Sequence, residues 1–97
     1  MSSHPRLDLD PAFGNPLRFS LVAALSGVDY MVFKDLRDYI ATTDSTLSKH
    51  ASALEELGYV KIKKGFVGKK PQTKLSLTSA GLKAWKAHLV ALREIAG

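Results

Sequence analysis

Cysteine is absent from the 97 residues of this chain. Without a thiol the chain can form no disulfide, bind no metal through a thiolate and use no cysteine as a nucleophile or redox sensor. Long apolar runs are also missing, because none approaches the roughly 20 residues that span a bilayer. The first ten residues, MSSHPRLDLD, lack the apolar stretch of a secretory signal. We therefore expect a cytoplasmic protein without membrane association.

Acidic residues are scarce in the second half of the chain. Residues 1–57 carry five Lys/Arg against eight Asp/Glu, a net charge of −3, whereas residues 58–97 carry nine against one, a net charge of +8. Six lysines fall between Lys61 and Lys74 with no acidic residue among them. This stretch is typical of a surface that contacts phosphates. A solvated lysine hairpin that protects a strand edge from aggregation explains the same charges.

The length and the 45% hydrophobic content suit one compact domain. Residues 1–8 show no periodicity and are predicted to form a flexible arm. A first helix is predicted from Pro16, because Asn15 is a good N-cap and proline is tolerated at the first helical position. Its apolar residues recur at helical spacing and end near Ser26, before Gly27.

Two further helices follow in the first half of the chain. Residues 29–32 form a short β-favouring piece, and residues 33–40 again show helical periodicity. Thr43 can cap a third helix through its hydroxyl group, and this helix is predicted to run to Leu57. Gly58 comes directly after it and suits the left-handed conformation that ends many helices.

The apolar spacing then changes to that of strands. Two short amphipathic strands are predicted at residues 59–63 and 74–77. The intervening residues 64–72 are predicted to form a flexible loop, too long for a tight turn. Thr78 caps a last helix that extends towards Ile95.

This order of elements predicts an α+β, mostly helical winged helix-turn-helix, α-β-α-α-β-wing-β-α, with a long C-terminal helix. Residues 9–78 would form the DNA-binding domain. Residues 79–97 would form the C-terminal helix and provide dimerisation.

The third helix is the predicted recognition helix, since the second helix of such a pair enters the major groove. Small hydroxyl side chains and one lysine occupy its predicted exposed face. Serines also occur on ordinary solvated helices, but here they directly precede a basic hairpin. The predicted DNA-binding residues of this helix are Thr43, Ser45, Thr46, Ser48, Lys49 and Ser52.

The basic hairpin is the predicted wing, with contacts to the DNA backbone or the minor groove. Phe66 is ambiguous, and we expect it to cover the base of the hairpin rather than to stack on a nucleotide base. The predicted wing contacts are Lys63, Lys64, Lys69, Lys70, Gln72, Thr73 and Lys74.

The apolar stripe of the last helix has two explanations: it closes the core of one protomer, or it joins two protomers. A helix of about 18 residues spans some 27 Å, which exceeds what so small a domain needs. We therefore predict a homodimer, with an interface formed by Leu82, Trp85, Leu89 and Leu92.

No enzymatic or metal-binding motif accompanies these features. The three histidines, His4, His50 and His88, show no metal-ligand spacing, and His50 is expected to pack, to hydrogen bond or to contact a phosphate. Asp35 and Asp38 share a helix face, where paired carboxylates are usually just solvated. We expect no enzymatic activity, no metal and no cofactor, and the sequence indicates no effector molecule.

Several segments resemble a known family: LDP at 9–11, NPLR at 15–18, LSKH at 47–50, LEELGYV at 54–60, GFVGKKPQT at 65–73 and LTSAG at 77–81. Together they resemble the small winged-helix transcriptional regulators related to the MarR and ArsR groups, from Leu9 to about Leu92. The resemblance implies a dimeric regulator with residues 45–52 as recognition face and residues 65–73 as wing. It does not extend to ArsR-type metal sensing, because the chain has no cysteine pair.

The sequence thus predicts a homodimeric regulator that binds specific double-stranded DNA sequences, with repression as the expected mode. A winged helix that binds proteins or RNA without operator specificity is the alternative.

Overall fold

A computed structural model describes residues 4–97 of the chain. Two short 3-10 turns, Pro5–Asp8 and Pro11–Phe13, precede the first helix. The helices are α1 (Pro16–Ser26), α2 (Phe33–Tyr39), α3 (Asp44–Glu56) and α4 (Ser79–Ala96), and the strands are β1 (Met31–Val32), β2 (Val60–Val67) and β3 (Lys70–Leu77). This order confirms the predicted winged-helix architecture with its long last helix.

Side-chain caps place the helix starts where the sequence predicted them. The Asn15 Oδ1 accepts hydrogen bonds from the backbone N–H groups of Leu17 and Arg18, at 2.8 and 3.2 Å. The Thr78 Oγ1 accepts one from Gly81 at 2.9 Å. Each cap satisfies N–H groups that have no partner within the helix itself.

The three strands form one antiparallel sheet in the order β1-β3-β2. Strands β2 and β3 pair along their full lengths, from Val60 opposite Leu77 to Val67 opposite Lys70. Only Gly68 and Lys69 lie between them, and Gly68 has φ 62°, as glycine does at the first central position of a type II′ turn. The predicted flexible loop at residues 64–72 is therefore wrong, because most of these residues extend the two strands.

The core is formed where α1, α2 and α3 pack on the inner face of the sheet. Its fully buried side chains are Phe13, Leu21, Val22, Leu25, Leu36, Leu47, Leu54, Val60 and Leu75. In α3, Leu47 and Leu54 lie on one face at helical spacing, as predicted, whereas Leu57 is exposed because the helix ends before it.

The start of α4 lies directly against the backbone of Tyr59. A Cβ atom at Gly81 would overlap the carbonyl group of Tyr59. That carbonyl oxygen also accepts a hydrogen bond from the backbone N–H of Thr78, at 3.0 Å. Only glycine at position 81 allows this close approach, which fixes α4 to the base of the β2–β3 hairpin.

The N-terminal segment packs on α4. Residues 1–3 of the predicted arm lie outside the described residues, and Pro5–Asp8 forms a 3-10 turn in contact with α4 rather than an aperiodic extension. The backbone N–H of Asp10 donates to the Nδ1 of His88 at 3.0 Å, and the Tyr59 hydroxyl donates to Asp10 at 2.7 Å. These contacts join the N-terminal turns, the hairpin base and α4.

None of the helices in residues 4–97 has both the length and the apolar character needed to cross a membrane.

Candidate nucleic-acid interface

The outer face of α3 carries the small polar side chains that the sequence assigned to it. Ser45, Ser48, Lys49 and Ser52 are exposed. The opposite face buries Leu47 and its neighbours in the core, so the exposed face has a fixed orientation. Because serine side chains are short, a partner can approach the backbone of α3 closely.

Thr43 and Thr46 are occupied by the cap of the same helix. The Thr43 Oγ1 accepts a hydrogen bond from the backbone N–H of Thr46 at 3.3 Å and donates one to the Thr46 Oγ1 at 2.9 Å. Their first task is therefore to start α3, and a DNA contact would have to use the remaining hydrogen-bonding capacity of the two hydroxyl groups.

A groove of about 570 Å³ runs between α3 and the β2–β3 hairpin. Ser48 and Ser52 line it from α3, and Lys64 and Thr73, which are paired across the strands, line it from the hairpin. The recognition face and the wing therefore border one continuous surface. The sequence suggested this arrangement but could not establish it, since the two segments lie far apart along the chain.

Glu55 holds the hairpin against α3. Its Oε2 accepts a hydrogen bond from the backbone N–H of Ile62, at 3.2 Å. Sequence reasoning missed this role, because no local pattern indicates that a glutamate at a helix end will meet the next strand. The contact joins the C-terminal end of α3 to β2 beside the groove.

The other face of the hairpin carries a like-charge pair. Lys63 and Lys74 lie directly opposite each other across the strands, an arrangement that destabilises a sheet unless something neutralises it. The Lys74 Nζ lies 4.5 Å from the centre of the Tyr30 ring, a favourable cation–π distance. Gln72 lies on this same face, so the predicted wing residues divide between two faces.

The wing lysines have no acidic partner in the described part of the chain. The ion pairs within residues 4–97 both involve Arg37, which contacts Asp38 at 2.9 Å and Asp44 at 2.7 Å. Lys69 and Lys70, at the turn of the hairpin, are exposed. Lys64 shares its groove with the carboxylate of Glu55. The charges of Lys69 and Lys70 at the end of the wing remain available to an anionic partner.

The Arg37 pair connects α2 to the start of α3. Hydrogen bonds to Asp38 and then Asp44 raise the pKa of the Arg37 guanidinium above its usual range. Exposed ion pairs stabilise a fold little. Their effect here is local, because the one guanidinium partly offsets the charges of two carboxylates, Asp38 near the end of α2 and Asp44 at the start of α3.

His50 connects α3 to α1. The Arg18 Nε donates a hydrogen bond to the His50 Nδ1 at 2.9 Å. Burial, followed by the nearby charges of Arg18 and Lys49, lowers the pKa of His50. A neutral His50 imidazole can accept this hydrogen bond from Arg18, and the bond positions α3 against α1. Within residues 4–97 there is no cluster of three side chains suited to hold a metal ion.

The predicted dimer residues of α4 have different surroundings. Leu82, Leu89 and Leu92 are half-buried, and Leu89 packs against the core. Trp85 is only 5% exposed and packs against Phe13 and Phe19, with ring centres 5.5 and 4.7 Å away. Most of the Trp85 ring is therefore covered within the protomer, and its predicted part in a dimer interface stays a prediction.

Residues 17–96 match the family described as the winged helix DNA-binding domain. The chain belongs to this family. It is 29% identical over 83 residues to an uncharacterized protein of Methanocaldococcus jannaschii, covering 86% of this chain and 90% of that one.

Solved structures show the same fold. The structure of a transcriptional regulator homologue from Pyrococcus horikoshii is 26% identical, with a TM-score of 0.82, and the match covers 88% of this chain and 84% of that one. A MarR-family regulator from Silicibacter pomeroyi is 19% identical with a TM-score of 0.70, covering 96% of this chain and 62% of that one.

The predicted winged-helix DNA-binding domain is confirmed by the family match. The MarR-family structure shares this fold. The chain is a small winged-helix DNA-binding domain, and its family is one of DNA-binding domains rather than enzymes.

Proposed function

We propose that this protein is a homodimeric repressor that binds specific double-stranded DNA sequences. In this proposal α3 enters the major groove, and the β2–β3 hairpin lies on the backbone or in the minor groove beside it. The observation that carries the proposal is the groove shared by Ser48, Ser52, Lys64 and Thr73. It lets both elements contact one duplex at the same time.

Base reading is assigned to the exposed residues of α3. Lys49 can donate to the guanine O6 or N7, and serine hydroxyls can contact either base edges or phosphates. Thr43 and Thr46 lie at the N-terminal end of α3, which is the end that approaches the bases. Ser45, Ser48 and Ser52 complete this face.

Backbone binding is assigned to the wing, whose lysines release counterions when they meet phosphates. Lys64 and Thr73 lie on the side of α3, whereas Lys63, Gln72 and Lys74 lie on the other side of the hairpin, with Lys69 and Lys70 at its end. Phosphate contacts would neutralise the unfavourable Lys63–Lys74 pair.

Dimerisation is assigned to α4. Ile95 follows His88 by seven residues and so lies on nearly the same helix face, but it is 42% exposed whereas His88 is buried. The apolar face thus continues past the body of the protomer. A second copy can cover it together with Leu82, Leu89 and Leu92. Two-fold symmetry would then place the two α3 helices about one helical turn of DNA apart, or a multiple of it.

Repression is the mode we propose, because a dimer bound across an operator excludes other proteins from that DNA.

A salt titration tests DNA binding. We expect the logarithm of the association constant for a mixed-sequence 40-bp duplex to fall with the logarithm of salt concentration with a slope of about −5 to −9, if a dimer neutralises roughly 6 to 10 phosphates. Lys69→Ala should make this slope shallower. A flat titration would contradict the proposal, as would a preference for single-stranded RNA of the same length in competition. Either result would favour a winged helix that binds proteins or RNA without operator specificity.

Sedimentation of variants tests the dimer. Leu89 contacts the core, so Ile95→Glu is the cleaner variant, and we expect it to sediment as a monomer and to bind DNA more weakly. Val90→Glu is the matched control, because Val90 is 48% exposed on another face of the same helix. A monomeric wild-type chain, or an intact Ile95→Glu dimer, would refute this interface.

A further inference from the structure

The end of the hairpin is apolar. Phe66 is 74% exposed and Val67 is 59% exposed. The expectation that Phe66 covers the hairpin base is wrong, since β2 carries this residue out to the turn. Phe66 and its cross-strand partner Pro71 are both exposed. An exposed apolar patch with charged residues around it marks an interaction site more often than a single exposed side chain does.

Phe66 lies on the face of the hairpin that borders α3. It pairs with Pro71 across the strands, whereas Lys64, two residues before it, pairs with Thr73. Residues two apart in a strand share a face and are separated by about 7 Å. Phe66 and Pro71 therefore extend the groove-lining surface by one step, away from the core.

The charges around Phe66 favour a nucleic acid. Lys64, Lys69 and Lys70 flank it along the chain, and within residues 4–97 none of them forms an ion pair. By strand alternation Phe66 shares a hairpin face with Lys64, which lines the groove beside α3. At the tip of the hairpin Phe66 also lines a hollow with Lys63, Gln72 and Lys74. An anionic lipid surface would suit the same charges, but it would leave the serine-lined face of α3 without a role.

We propose that Phe66, supported by Pro71, is an apolar wedge that enters the minor groove next to the bases read by α3 and partly unstacks one base step. This inference rests on the proposed DNA-binding function. Proteins that bind the minor groove insert apolar side chains between base steps, and pyrimidine–purine steps such as TA and CA/TG open most easily. Phe66 would therefore select a flexible step at a fixed distance from the α3 site.

An apolar wedge and a phosphate contact have different signatures. Stacking is apolar and releases no counterions, so Phe66→Ala should lower affinity about 10-fold without changing the salt slope. Lys69→Ala should instead make the slope shallower by about 1 for each protomer. Since Phe66 is exposed, its replacement should leave the fold intact.

Selection of bound sequences from a random duplex pool tests the wedge. The full-length wild type, Phe66→Ala, Phe66→Leu and the remote control Leu7→Ala would each be used, followed by permanganate oxidation of unstacked thymines in the selected duplexes. We expect the wild type and Leu7→Ala to enrich a TA or CA/TG step with a reactive thymine, Phe66→Leu to keep part of this enrichment, and Phe66→Ala to lose it while keeping the bases read by α3.

Other outcomes separate the two proposals. If Phe66→Ala selects the same sequences with the same affinity and the same reactive thymine, the wedge is refuted and DNA binding stands. If the wild type selects no duplex at all, the proposed function itself has failed. Phe66-dependent binding to phosphatidylserine vesicles that exceeds binding to the selected duplex would also overturn the wedge.

Discussion

The two ends of this small domain are built in opposite ways. At the α4 end, Phe13 packs against Tyr59, Trp85 and His88 with ring centres 5.1 to 5.6 Å apart. At the α3–hairpin end the surface carries serines, threonines and lysines, and the exposed ring of Phe66 contacts no other ring within the described residues. The fold is stabilised at one end and leaves the other free to bind.

The contrast between the aromatic end and the polar end shows how a small domain can keep a polar face. A small domain buries a modest fraction of its surface, so a few large side chains must supply much of its stability. Concentrating aromatic rings around α4 does this. The buried leucines of α3 then suffice to hold this helix on the core. The residues on its outer face are not needed for packing and can serve binding.

The largest expected effect is on the aromatic end. Trp85→Ala should lower the free energy of unfolding by about 3–5 kcal/mol, because it removes a buried ring from the contacts with Phe13 and Phe19. Phe66→Ala, the change at the other end, should alter it by less than about 0.5 kcal/mol. Urea unfolding followed by circular dichroism measures both. Equal losses of unfolding free energy in the two variants would contradict the proposed division into a stabilising end and a binding end.

A smaller effect is expected at the joint between the two ends. Gly81→Ala should cost about 1–3 kcal/mol, because the new methyl group meets the backbone of Tyr59 and the start of α4 must shift. Gly65→Ala is the matched control, since a Cβ at Gly65 has no heavy atom within 4 Å. Thermal unfolding of both variants checks the prediction. A Gly81→Ala protein as stable as the wild type would show that α4 is not held by this contact.

The smallest effect concerns pH and a single hydrogen bond. Burial lowers the pKa of His88 below its usual 6.5, against an opposing influence of Asp10. A lowered folded-state pKa means that the unfolded chain binds the proton more readily, so this contribution is fully present above pH 6.5 and is lost as the pH falls below it. Protonated Nδ1 can no longer accept from the N–H of Asp10, a bond worth about 0.5–1.5 kcal/mol.

Comparison of His88→Gln with the wild type isolates that contribution. The difference in melting temperature between pH 7.5 and pH 5 should be smaller in the variant, because glutamine can accept the same hydrogen bond and does not titrate. His50→Gln removes the second histidine whose pKa is lowered by burial, so the two variants separate the contributions of the two sites. If the melting temperature of His88→Gln depends on pH as strongly as that of the wild type, His88 does not contribute to this dependence.

Local chemistry made the helices predictable. Asn15, Thr43 and Thr78 accept hydrogen bonds from N–H groups within the next three residues, so their caps depend only on the neighbouring sequence. The exposed serines of α3 were predictable for the same reason, because helical periodicity fixes which residues lie opposite a buried stripe.

The hairpin and the aromatic cluster were less predictable. Gly65, Pro71 and the lysines between them suggested a loop, yet β2 and β3 continue to a two-residue turn at Gly68, because their backbone groups can pair across a distance that the sequence does not show. The role of Trp85 depended on whether Phe13 and Phe19 would reach it. Neither lies near it in the chain.

The sequence by itself determined the helix starts, the fold class and the concentration of positive charge in the second half, since capping, periodicity and charge are properties of neighbouring residues. Only the tertiary structure decided that Ser48 and Lys64 share a groove, that Glu55 bonds to β2 beside it and that Trp85 is buried while Phe66 is exposed. Each of these depends on contacts between residues distant in the chain, and the burial of a side chain is set by everything that packs around it.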